Sequence, residues 1–117
     1  MNGEQWARIS LRVVSERMAP AEVAEAIGLA SSTPSEKFWA VDLTTDSSVP
    51  LQDQLREAKI FLGRHVEVLV SFAEAEIVLL VSWTPRTPQD GVAFDSELIK
   101  VLARFDCHIL LDTYSDE

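Results

Sequence analysis

Between Ala7 and Val13 every second residue is apolar: Ala7, Ile9, Leu11 and Val13 alternate with Arg8, Ser10 and Arg12. Successive side chains on a strand point to opposite faces, so this stretch predicts a strand with one dry face and one wet face. Such a strand does not belong to a parallel sheet buried on both sides. It belongs to an antiparallel or mixed sheet that keeps one face open. The rest of the chain must supply cover for the dry face.

Three amphipathic segments can do so. Pro20 suits the first turn of a helix, Glu22 sits near its positive end, Val23 and Ile27 give an apolar stripe, and Gly28 suits the stop. Ala19, in the cap position, offers no side-chain acceptor, a deficit of about 1 kcal/mol against a good cap. Leu51, Leu55, Ala58 and Leu62 recur at helical spacing. Gly63 then predicts a kink or short break, and Val66 to Phe72 reads as either a second helical piece or a strand. Phe94 to Phe105 carries a third stripe (Phe94, Leu98, Val101, Leu102, Phe105), with Asp95 and Glu97 expected in its first turn.

Further strands are expected at Lys37 to Leu43, at Glu76 to Trp83 and at Cys107 to Tyr114. Ile77 to Val81 is apolar at every position, which marks a central strand or one covered on both sides. Thr84 to Gly91 holds two prolines and reads as a loop. The expected fold is therefore α+β: a small mixed or antiparallel sheet, helices packed on one face, order β-α-β-α(α)-β-α-β. All 117 residues fit one domain. Arg8, Ser10 and Arg12 fall on the open face, joined by His108 or Asp112 according to register.

Charge narrows the function. With 19 acidic against 10 basic residues the net charge is −9, which disfavours nucleic acid and anionic membrane surfaces and suits a basic protein partner. No apolar run approaches the roughly 20 residues of a membrane span. Met1 to Gln5 has neither a basic start nor an apolar run, so no secretory signal is expected, and a cytoplasmic location is the default. The lone Cys107 suits a reducing compartment.

Residues for catalysis do not assemble. Cys107 and His108 are adjacent on a predicted strand and point to opposite faces, so they do not form a nucleophile–base pair. Two histidines and one cysteine make a poor zinc set, and His65 and Glu67 face apart on a helix. Glu22 with Glu25, and Asp53 with Glu57, read as solvated helix faces. The four glycines are unclustered, so no phosphate cradle is present. Neither a metal nor a cofactor is implied, and an enzyme is not expected. The aromatics Trp6, Trp39, Trp83 and Tyr114 lie in or beside strands, where they serve the core or anchor a partner.

Taken in order, the alternating first strand, APAEVAEAIGLASSTP with its glycine stop, FWAVDL, the helical segment after VPLQDQL, and FDSELIKVLARFDCHILLDTY resemble DUF4279, a bacterial domain family of unknown function. The likeness spans about Trp6 to Tyr114 and rests on the order and spacing of the blocks. It implies no catalytic residues. SSTPSEK stands where that family usually has a longer glycine-rich insertion.

The expectation is a non-enzymatic protein-binding module of the immunity type, neutralising a basic toxin or enzyme, with Trp83, Tyr114, Asp112, Asp90 and Asp95 as contact residues. The alternatives are a small-molecule sensor with a pocket between the sheet and the long helix, and a homodimer that uses the sheet face.

Overall fold

In the computed structural model, which describes residues 6–33, 35–44, 46–72, 74–84 and 92–113, four strands and four helices follow the expected order. They are β1 (Ala7–Val14), α1 (Pro20–Ile27), β2 (Trp39–Asp42), α2 (Leu51–Arg64), α3 (Val66–Ser71), β3 (Glu76–Trp83), α4 (Ser96–Ala103) and β4 (Cys107–Thr113). The sheet order is β2-β1-β3-β4. β1 pairs antiparallel with both β2 and β3, and β4 lies parallel to β3 because α4 carries the chain back to the same end. The sheet is thus mixed, with β1 and β3 central.

The dry face is the one the alternation marks. Ile9, Leu11 and Val13 of β1, Trp39 of β2, and Ile77, Leu79 and Val81 of β3 are all buried to within 1% exposure. They pack in one cluster with Val23 and Ile27 of α1, Leu55, Ala58 and Leu62 of α2, Val66 and Leu69 of α3, and Leu98 and Leu102 of α4. Gln54 is the buried polar exception. Its amide nitrogen donates to the carbonyls of Ala7 (2.9 Å) and Val49 (2.8 Å), and the Thr44 hydroxyl donates to its oxygen (2.6 Å). Thr44 in turn accepts from the Ile9 amide at 2.7 Å, so this buried amide closes the end of the sheet without an unpaired group.

Local chemistry sets the helix ends. α1 begins at Pro20 without a side-chain acceptor at Ala19, and Glu22 compensates by accepting from the Ala19 amide at 2.9 Å. Gly28 ends it in the left-handed region at φ 87°, donating to the Ala24 carbonyl. α4 starts at Ser96 because Asp95 acts as its N-cap, its Oδ1 accepting from the Leu98 amide at 2.8 Å. The stripe from Phe94 to Phe105 therefore overstates the helix at both ends.

The break in the long helical segment falls at His65, not at Gly63, which stays helical within α2. In a continuing helix the Phe61 carbonyl would receive the His65 amide. Here the His65 ring takes that carbonyl, its Nδ1–H donating at 2.9 Å, and the His65 amide turns to Leu62 instead. The ring also lies against Phe61, with centroids 4.3 Å apart. Beyond the break the segment open to both readings is a helix, α3. Val66, Leu69 and Phe72 bury at three-residue spacing, and that packing outweighs the β-branched composition.

Candidate functional site: the open sheet face

All four helices lie against the dry face, so the opposite face of the sheet is uncovered by helix. Register defines what it presents. Arg8, Ser82 and Asp112 form one cross-strand row, and Asp42, Ser10, Leu80 and Leu110 a second. Ala40, Arg12, Val78 and His108 form a third. Both His108 and Asp112 therefore join the arginines and serine of β1. Val78, Leu80 and Leu110 form an apolar strip from β3 to the edge strand β4, beside Arg8, Ser10 and Arg12 of β1 and between His108 and Asp112.

Arg12 is the most constrained charge on this face. Its guanidinium carbon stands 4.7 Å from the centre of the Phe38 ring, a cation–π arrangement. Its Nε is buried and, among the described residues, has no hydrogen-bond partner. Phe38 is in phase with Ala40, so it belongs to the open face. In the sequence, Trp39, Val41 and Leu43 fall on one phase of the Lys37–Leu43 segment and Phe38 on the other. The signal was there in the complementary phase of the same alternation.

Of the five residues expected to contact a partner, the three described ones do not come together. Trp83 packs in the core at 7% exposure, on the helix-covered face, so it is not available as a surface anchor. Asp95 has a structural task at the start of α4. The Leu98 amide, and beside it Lys59, hold its carboxyl below the usual carboxylate range, while the same pairing raises Lys59. Asp112 stands on the open face and has an interaction within its own chain. Asp90 and Tyr114 lie outside the described residues.

Cys107 and His108 point to opposite faces as expected. Cys107 lies on the helix side, half-buried, with its thiol donating to the His108 carbonyl at 3.3 Å. Burial pushes this thiol up to about 11, so it is protonated at neutral pH and a weak nucleophile. Among the described residues no three His, Cys, Asp or Glu side chains converge as a metal site, and no helix is long and apolar enough to cross a membrane.

Leu55, Ala58 and Leu62 of α2 are buried against the dry face of the sheet. An open cleft of about 450 Å³ lies at one end of the sheet, lined by Leu69, Phe72, Glu74, Arg104, Phe105 and His108 among others.

No family model, no curated protein and no solved structure matches the chain.

Proposed function

We propose that this chain is a non-enzymatic protein-binding module whose contact surface is the open face of the sheet and whose partner is a basic protein, in the manner of an immunity protein neutralising a basic toxin or enzyme. The observation that carries the reading is the open face itself. An apolar strip of Val78, Leu80 and Leu110 sits among Arg8, Arg12, Asp42, His108 and Asp112, on a sheet whose other face packs against the helices over β1, β2 and β3. Binding energy would come from burying the apolar strip, since transfer from water is worth about 25 cal/mol per Å² of apolar area before the costs of association. The net charge of −9 would steer a basic partner toward the molecule and raise the association rate. The Arg12 Nε–H, already desolvated against Phe38, would fix register by donating to a carbonyl or carboxylate of the partner. Membership of DUF4279, on the block order given above, is part of the same proposal.

The test is an affinity capture from the native host at low salt with two baits, the wild-type chain and Ser10→Arg, which puts bulk and positive charge at the middle of the open face. A basic protein retained stoichiometrically by the wild type, released by high salt and lost on Ser10→Arg, is the expected result. A partner held equally by both baits removes the open face from the account. Capture of nothing, with thermal stabilisation by a small metabolite, moves the assignment to a sensor that uses the cleft beside Phe72 and Phe105.

A further inference from the structure

β4 ends the sheet, and three consecutive residues on it are exposed: Ile109 at 38%, Leu110 at 51% and Leu111 at 47%. Consecutive residues face opposite sides, so the strand is uncovered on both. Ile99 of α4, 51% exposed, adds to the helix side. It stands about 100° round the helix from the buried Leu98, on the flank away from Glu97, which reaches Lys59 of α2. Soluble proteins blunt such an edge with lysine, proline, a bulge or a covering segment. Cys107–Thr113 has no lysine or proline, and its seven residues pair with β3 in unbroken register.

The order of residues along β4 supplies a specific occupant. About a two-fold axis at Leu110, an antiparallel copy of the same strand places Leu110 opposite Leu110 and Ile109 opposite Leu111. His108 falls opposite Asp112, and Cys107 opposite Thr113. Apolar meets apolar on both faces, and the imidazole of His108 meets the carboxylate of Asp112 twice, once on each side of the axis. The neighbouring registers lack this match: an axis at Ile109 sets His108 against Leu110, and one at Leu111 sets Leu110 against Asp112. Asp112 has an interaction in its own chain, and the two oxygens of a carboxylate serve more than one donor.

We propose that β4 pairs antiparallel with β4 of a second copy about a two-fold axis through Leu110, joining two four-stranded sheets into one continuous sheet of eight. Self-complementary pairing is what a two-fold interface requires, since each surface meets itself. Seven residues give a shared edge about 23 Å long at roughly 3.3 Å per residue, and eight strands lie within the ordinary size of a sheet. The open faces of both copies stay uncovered and on the same side. The pairing is therefore independent of the partner reading above, and either can fail alone.

Sedimentation equilibrium of the full chain across a wide concentration range tests the pairing, with two variants alongside. The wild type should reach twice its 13.0 kDa mass. Leu110→Lys, at an exposed position, should keep its circular dichroism and remain a monomer. Leu110→Cys should form a covalent dimer on mild oxidation, because directly opposed antiparallel residues have Cα atoms about 4.5–5.5 Å apart, within disulfide range. The wild type should not, since the two Cys107 residues would lie roughly 20 Å apart along the paired strands. A wild type that stays monomeric at every concentration overturns the pairing and leaves the edge to a strand from another protein. So does a Leu110→Lys variant that still dimerises, or a wild-type dimer that crosslinks through Cys107.

Discussion

At one edge of the sheet β2 is four residues long and the chain doubles back along it; at the other, β4 runs for seven residues with its outer side exposed. The β2 edge is sealed by two serines. The Ala40 amide donates to the Ser31 hydroxyl (3.1 Å), the Ala40 carbonyl accepts from the Ser32 amide (2.7 Å), and the Asp42 amide donates to the Ser32 hydroxyl (3.0 Å). Trp39 locks the arrangement from inside, its indole N–H donating to the Leu29 carbonyl at 3.0 Å. Both edges begin with the same problem, a row of backbone groups that need partners. A short loop of small hydroxyl residues solves it within the chain, whereas an edge built of Ile109, Leu110 and Leu111 invites a strand from outside.

The largest way to break this contrast is Trp39→Ala. It empties a fully buried site and orphans the Leu29 carbonyl, so urea denaturation should show a loss of about 3–5 kcal/mol. Gly28→Ala acts one step earlier, on the turn that delivers Leu29 to the indole. Its φ of 87° with open space around the added methyl makes the cost one of backbone alone, about 1–2 kcal/mol in the same experiment. Ser31→Ala unseals Ala40 directly and should cost about 1 kcal/mol, with faster exchange of the Ala40 amide as the local sign. Leu110→Lys at the opposite edge should leave the stability of the dilute chain within about 0.5 kcal/mol, because the replaced side chain is half exposed.

The smallest effect is one of pH, at the start of the helix beside β4. The folded pKa of Asp95 lies below its ordinary 3.8, set chiefly by the Leu98 amide. Its contribution is therefore fully present above that ordinary value and fades as pH falls through the folded one. Asp95→Asn, which keeps a capping oxygen but no charge, should flatten the acid limb of the unfolding curve without shifting stability at neutral pH by more than a surface change does.

Much of the architecture was legible in the alternation of β1, because period-two patterning fixes both the strand and the face it buries. The apolar run of β3 announced a central strand for the same reason. The break at His65 was not legible, since it depends on one ring nitrogen reaching the Phe61 carbonyl, and the glycine two residues earlier drew the prediction instead. α3 was ambiguous because β-branched composition and helical spacing of Val66, Leu69 and Phe72 point to different states until packing decides. At the site, Trp83 looked like an anchor from its place at a strand end, but its phase along β3 puts it on the buried face with Val81. The exposed apolar residues of β4 were equally hidden, because a sequence does not tell an edge strand from a central one once both read as apolar.

Residue-resolved amide hydrogen exchange at low and high protein concentration tests the contrast between the edges most directly. Alternate residues of a strand turn their amides away from its one neighbour, so half of the β4 amides depend on what lies beyond the edge. The account predicts that Ala40 and Asp42 are protected at every concentration, while the outward amides of Cys107–Thr113 exchange fast when dilute and become protected as concentration rises. Protection of all β4 amides in dilute solution, unchanged by concentration, would show that edge to be closed within the single chain and would contradict it.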